Sequence, residues 1–301
     1  MVLVSPWGCL PGGDLKLLLL AIGTCLALAM SAAQAQSPGA KSPSKARNGA
    51  PDLKSASALV VEQDGLRVLY AKNIDAVLPI ASITKLMTAQ VVLDAALPLD
   101  ELITVSAEDV DAIKRTRSRL RVGTTLPRGE LLKLALMASE NRAAAALTRA
   151  YAGGTAAFVA AMNRKAAALG MSRTRFVDGT GLSSENVSTA QDLARLVRAA
   201  YGHALIRQYS TDTAHTVELA NGRRLNFSNS NRLVKNSGWE IGLSKTGYIS
   251  EAGRCLVLQT RIAAKPMIII LLDSWGRLTR IGDANRIKKW IESNSARRPA
   301  G

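Results

Sequence analysis

β-Prone sequence stands at both ends of this chain and helix-forming sequence fills the middle, so any sheet must be assembled from segments far apart along the chain. Near the start, Ala58-Leu59-Val60-Val61 and Arg67-Val68-Leu69-Tyr70 flank Gln63-Asp64-Gly65, and an Asp-Gly pair between two such runs marks a hairpin. Near the end, 239–246, 253–261 and 266–273 read as strands and 280–293 as a closing helix. Between them, segment 82–96 offers Ile83, Leu86, Met87 and Val91 for one apolar face. Segments 129–138, 141–151 and 156–169 are rich in Leu and Ala, the last ended by Gly170. After the turn-rich Phe176-Val177-Asp178-Gly179-Thr180-Gly181-Leu182 comes a helix over 188–200, with Ser188 and Gln191 placed as a capping box. One sheet plus a helical insertion is an α+β arrangement with a cleft where the two parts meet.

With 301 residues, 48% of them hydrophobic, the chain can bury a full-sized core. Its formal net charge of +16 selects an anionic partner, whether nucleic acid, anionic lipid or a carboxylate-rich polymer. Aromatic residues at 4% speak against the stacking surfaces that hold single-stranded nucleic acid. The N-terminus narrows the compartment. Lys16 precedes the apolar run Leu17-Leu18-Leu19-Leu20-Ala21-Ile22, and Ser31-Ala32-Ala33-Gln34-Ala35 supplies an A-x-A cleavage site, so 1–35 reads as a secretory signal peptide rather than a membrane span. Cys9 and Cys25 would leave with it. Cys255 alone then permits neither an internal disulfide nor a thiolate metal site. Residues 36–54, mostly Ser, Pro, Gly, Ala and Lys, read as a disordered linker and 294–301 as a flexible tail. The folded domain is expected over 55–293, with a helical subdomain inserted at about 100–225.

Elimination narrows the chemistry. Only His203 and His215 are present, with no G-x-S-x-G elbow, no H-E-x-x-H pair and no phosphate-binding G-x-x-x-x-G-K-[ST] loop. What remains is Ser82-Ile83-Thr84-Lys85 at the opening of a helix. Residues at i and i+3 share a helix face, so the Ser82 hydroxyl and the Lys85 amine can reach each other as nucleophile and base. For Lys85 to accept a proton near neutrality its pKa must fall from ~10.4 to about 7, roughly 4 to 5 kcal/mol against the charged form. Burial, a second cation and the positive end of the helix dipole all act in that direction. The pattern alone is weak, since Ser42-Pro43-Ser44-Lys45 in the linker also matches it.

Ser82-x-x-Lys85, then Ser139-Glu140-Asn141, then Lys245-Thr246-Gly247, in that order, resembles the three-motif set of serine penicillin-binding proteins and β-lactamases. The intervals are similar to those of low-molecular-mass D,D-peptidases. Leu78-Pro79-Ile80-Ala81, Asp178-Gly179-Thr180-Gly181-Leu182, Asn186-Val187-Ser188-Thr189-Ala190 and Lys245 to Gly253 look like the same family, in which Gly179 commonly has proline as its counterpart. Ser184-Glu185-Asn186 is a decoy for the second motif. The resemblance implies a five-stranded antiparallel sheet flanked by helices with an inserted all-helical subdomain.

It also implies roles. Ser82 would attack the carbonyl of a D-alanyl bond and form an acyl-enzyme, with Lys85 taking its proton and Ser139 relaying one to the leaving amine. Asn141 would hold Lys85 and the substrate amide. Lys245 would depress the Lys85 pKa and attract the substrate carboxylate, Thr246 would bond the substrate, and Gly247 would let it approach the strand. The backbone N–H groups of Ser82 and Tyr248 would form an oxyanion hole. No cofactor or metal is implied. A β-lactamase would need a loop glutamate to activate water, and Glu185 is the one candidate, in the wrong context. The short stretch after Gly247 resembles soluble D-alanyl-D-alanine endopeptidases more than membrane-attached carboxypeptidases, which carry an extra β-domain and a terminal amphipathic helix. The expected partners are peptidoglycan cross-linked peptides and, as covalent inhibitors, β-lactams, in the periplasm. Nucleic acid and an integral membrane segment in the mature chain are not expected. A carboxypeptidase, a β-lactamase and a non-catalytic wall-binding protein are the other readings.

Overall fold

The computed structural model describes residues 49–296; the leader expected over 1–35, most of the linker and residues 297–301 lie outside the described residues. In chain order come β1 (Ser55–Glu62), β2 (Val68–Lys72), β3 (Leu78–Pro79), a 3-10 turn (Ala81–Thr84), α1 (Lys85–Asp94), β4 (Leu102–Thr104), β5 (Thr125–Pro127), α2 (Arg128–Met137), α3 (Asn141–Arg149), α4 (Gly154–Ala168) and β6 (Val187–Ser188). Then follow α5 (Ala190–Tyr201), α6 (Ala204–Thr211), β7 (Ala214–Glu218), β8 (Arg224–Ser228), β9 (Glu240–Ile249), β10 (Gly253–Ile262), β11 (Lys265–Ser274) and α7 (Thr279–Ala296).

The five long strands form one antiparallel sheet in the order β2-β1-β11-β10-β9. Its closure joins the two ends of the chain, with β1 running against β11 from Ser55↔Ser274 to Glu62↔Met267. The run Ile268-Ile269-Ile270-Leu271-Leu272 is buried throughout because both faces of β11 are covered. Ile268, Ile270 and Leu272 share a cluster with Leu193 and Val197 of α5, while Ile269 and Leu271 share another with Ala284, Ile287 and Ile291 of α7. A carboxylate fastens the corner. Asp283 of α7 accepts the backbone N–H of Lys54 at 3.0 Å, the N–H of Ser55 at 2.7 Å and the Ser55 hydroxyl at 2.6 Å.

The first core cluster continues without a break from the sheet into α1 to α5. α1 is its centre: Leu86, Met87, Ala89, Val91 and Val92 are buried, and α2, α3, α4, α5 and α6 all pack around it. A helix covered on all sides has no single apolar face, which is why 82–96 carries apolar residues nearly all round.

Several local readings shift. The helix expected from Ser82 begins at Lys85, behind the 3-10 turn, because Ala81 sits at φ 47° and no side chain caps the start. Thr189, not Ser188, caps α5: its hydroxyl accepts the Asp192 N–H at 3.1 Å, while Ser188 pairs with Leu78 in β3 and bonds Thr174. The hairpins β4–β5 and β7–β8 and helix α6 stand where no element was expected. Leu53 is buried inside the stretch read as linker, and α7 runs on to Ala296 within the stretch read as tail. No helix among the described residues is long and apolar enough to cross a membrane.

Candidate active site

Three elements meet where the helical part faces the edge strand β9: the 3-10 turn leading into α1, the bend between α2 and α3, and the middle of β9. The turn carries Ser82. Its backbone is thrown outward by Ala81, and the opposing loop approaches so closely that only glycine fits at 181, which has φ 78° and where a Cβ would stand 2.9 Å from Ser82 N. Gly247 of β9 makes the same kind of contact. A Cβ there would lie 2.9 Å from Ile80 O and 3.2 Å from Ser82 N, so what requires glycine at this position is the turn before Ser82.

Lys85 lies one turn behind Ser82 and is buried. Its Nζ donates to Ser82 Oγ at 3.0 Å, Asn141 Oδ1 at 2.7 Å and Thr180 O at 2.6 Å. Burial lowers the Lys85 pKa to about 8, against the opposing pull of the Asp178, Glu140 and Asp111 carboxylates. Thr180 is presented by a loop wound around Asp178, which accepts the N–H groups of Thr180, Gly181 and Ser183. Asn186 staples that loop to the Ser82 turn through Thr84 Oγ1 at 3.1 Å, which explains the decoy motif as a structural asparagine.

Ser139 sits in the left-handed region, φ 60°, which turns its side chain into the cleft ahead of α3. Lys245 Nζ donates to Ser139 Oγ at 2.8 Å and to Thr246 O at 3.0 Å. Burial first, then the charges of Lys85 and Arg280, hold Lys245 well below the usual lysine range. Burial is the main cause in both lysines, and the two ammonium groups repel each other, so Lys245 also works against the charged form of Lys85. Thr246 Oγ1 bonds Ser230 Oγ at 2.8 Å, and Tyr248 is 56% exposed beneath the Arg254 guanidinium, 4.3 Å from its ring centroid.

Seven of the eight residues singled out in the sequence meet at this cleft, Ser82, Lys85, Ser139, Asn141, Lys245, Thr246 and Gly247, while the exposed Tyr248 ring lies against Arg254. A cavity of about 270 Å³ opens beside Asn141, bordered by Ile113, Ala145, Thr180 and Leu182. The histidines lie elsewhere, His215 against Glu130 and His203 near Asp94. Glu185 is exposed and pairs with Arg175. Sequence reasoning missed Thr116, whose Oγ1 accepts from Asn141 Nδ2 at 2.9 Å, and Arg280, whose Nε and Nη1 are buried without a partner among the described residues. Neither sits in a motif.

The sequence profile of the family described as D-alanyl-D-alanine carboxypeptidase matches residues 44–275. The chain is 49% identical over 243 residues to a D-alanyl-D-alanine endopeptidase of Pseudomonas aeruginosa, covering 80% of this chain and 78% of that protein. It is 45% identical over 269 residues to the D-alanyl-D-alanine endopeptidase of Escherichia coli, covering 89% and 87%. Among solved structures, the Streptomyces K15 DD-transpeptidase superposes with a TM-score of 0.74 at 28% identity, over 80% of this chain and 97% of that one.

Proposed function

The chain belongs to the D-alanyl-D-alanine carboxypeptidase family of serine peptidases, and from that premise we propose that it is a D-alanyl-D-alanine endopeptidase cutting D-alanyl cross-links in peptidoglycan. The observation that carries the reading is the shared network in which a buried, deprotonatable Lys85 bonds Ser82 while Lys245 bonds Ser139 across the same cleft.

Ser82 Oγ attacks the D-alanyl carbonyl as its proton passes to Lys85 Nζ, and negative charge gathers on the carbonyl oxygen between the N–H groups of Ser82 and Tyr248. Ser139, held by Lys245, hands a proton to the departing amine, the C–N bond breaks, and water later releases the acyl group from Ser82. Asn141 holds Lys85 and the substrate amide, and Thr246 holds the substrate beside the strand. In a cross-link the departing amine sits on a carbon that also bears a carboxylate. Lys245 supplies its counter-charge.

The endopeptidase preference is supported by the names of the relatives at 49% and 45% identity. We further propose secretion to the periplasm by the 1–35 leader and covalent inhibition by β-lactams, which mimic the acylating bond. Two measurements test the reading. Fluorescent penicillin should label the wild type and not Ser82→Ala; a wild type that never labels would refute the acyl-serine mechanism and leave a wall-binding role. Purified protein given cross-linked dimers and uncross-linked pentapeptides should cleave the dimers, and release of D-alanine from pentapeptide with dimers left intact would make it a carboxypeptidase.

A further inference from the structure

Between β4 and β5 the chain passes the mouth of the cleft in a loop that belongs to none of the three motifs. Its organiser is Asp111. One carboxylate oxygen accepts the N–H groups of Ile113 and Lys114, each at 2.9 Å; the other accepts the Thr116 N–H at 2.9 Å and the Thr116 hydroxyl at 2.7 Å. Burial works to raise the Asp111 pKa, but the hydrogen bonds from Lys114, Thr116 and Ile113 outweigh it and keep the group ionised well into acid. Farther out, Lys114 pairs with Glu251 in the hairpin that follows β9, so the loop is tethered on the sheet side of the cleft as well.

An ionised carboxylate can only accept hydrogen bonds, so the Thr116 hydroxyl must spend its one proton on Asp111. What it offers Asn141 is therefore a lone pair. That selects the amide nitrogen of Asn141 as the group facing Thr116, at 2.9 Å, and leaves Oδ1 facing Lys85 Nζ at 2.7 Å. We infer that Thr116, anchored by Asp111, is a positioning residue that fixes the orientation of the Asn141 amide and thereby aims the base.

The consequence lies in the neutral amine. A deprotonated Lys85 has two hydrogens and one lone pair. With Asn141 Oδ1 and Thr180 O taking the two hydrogens, the lone pair is left pointing at Ser82 Oγ. A flipped Asn141 presents N–H donors instead, which claim that lone pair and leave Ser82 without an acceptor. It also removes an acceptor from the ammonium form, so the flipped state favours neutral Lys85. The other charges facing Lys85 are Asp178 and Glu140, which favour its charged form, and Lys245, which opposes it; none of them bonds Asn141.

The inference rests on the proposed acyl-serine mechanism. Its test is the second-order rate of labelling by fluorescent penicillin, followed across pH for the wild type, Thr116→Val and Thr116→Ser. Valine preserves the shape and removes the acceptor, so the plateau rate should fall about tenfold, the worth of one hydrogen bond, while the acid limb moves to lower pH. Thr116→Ser, which keeps the hydroxyl, should restore both. A Thr116→Val enzyme with the wild-type plateau and acid limb, or a serine variant as impaired as the valine one, overturns the positioning role while leaving the mechanism standing. A wild type that never labels overturns both.

Discussion

Replacing a buried acid in this site should make the enzyme faster at neutral pH. Lys85 titrates at about 8 because burial disfavours its ammonium form, while Asp178, Glu140 and Asp111 push the other way. The neutral fraction, which the proposed mechanism uses as base, is then about one-tenth at pH 7 and about nine-tenths at pH 9. Acylation of the wild type by a fluorescent penicillin should rise about tenfold over that interval and level off above it. Glu140→Gln removes one of the charges that favour the ammonium. Glu140 accepts the Arg142 N–H at 3.2 Å through Oε1, a cap on α3 that a glutamine oxygen reproduces, so the fold should stand. A loss of about 0.7 kcal/mol of favourable Coulomb energy is about half a pH unit, which moves the acid limb downward and raises the rate at pH 7 about two- to threefold, with little change at pH 9. Stopped-flow or gel-based labelling from pH 6 to 10, with thermal melting as a check on folding, reads the wild type and the variant. An acid limb in Glu140→Gln that stays in place or moves to higher pH would refute the assignment of this limb to Lys85.

Gly181→Ala should slow acylation at least tenfold and lower the melting temperature, since a Cβ at φ 78° would overlap the Ala81 carbonyl and press on Ser82 N; labelling and calorimetry together report it. Asp283→Ala should destabilise the fold by about 3 kcal/mol in urea titration by unfastening β1 from α7, with labelling at Ser82 unchanged under native conditions. Asp283 has a lowered pKa because its hydrogen bonds from Ser55, Lys54 and Arg286 overcome the effect of burial. Its stabilisation is therefore complete above the unfolded carboxylate pKa and lost as pH falls through the lower folded value, so the alanine variant should show a flatter acid limb of stability. Cys255, its thiol pushed up to about 11 by burial, should resist maleimide in the folded chain lacking 1–35 and react once denaturant exposes it.

The parts of the molecule legible in sequence share one property: their signal is local. Ser82 and Lys85 are one helical turn apart, Ser139 and Asn141 span a single bend, and Lys245 to Tyr248 are consecutive on a strand, so each motif prefigures its own geometry. The sheet was legible because β11 and β10 are apolar along their buried lengths. Illegible were the contacts whose partners lie far away in sequence. Thr116 matters because of Asn141, Gly181 because of Ala81, and Gly179 because a Cβ there would overlap Thr148 Oγ1, which leaves no room for a proline ring. Helix α6 and hairpin β7–β8 were also missed. Both are short, and tertiary contacts hold them more than propensity does: α6 packs against α2 and β9, and His215 of β7 bonds Glu130 of α2.

The arrangement also separates two demands that the motifs by themselves leave in conflict. A base at Lys85 needs an environment hostile to charge, while capture of a carboxylate needs cations in the same cleft. Here the first is met by depth: Lys85 lies under α1 and its neighbours, with three acceptors at 2.6 to 3.0 Å and no solvent. The second is met at β9, where Lys245, held well below the usual lysine range chiefly by burial, donates to Ser139. An arriving carboxylate favours the charged form of Lys245, the form that donates to Ser139 Oγ and leaves the serine proton free for the departing amine. Substrates or inhibitors lacking the carboxylate should therefore lose acylation rate as well as affinity, a difference that saturation kinetics with matched ester and acid substrates resolves; equal plateau rates for the two would show that the carboxylate serves binding alone.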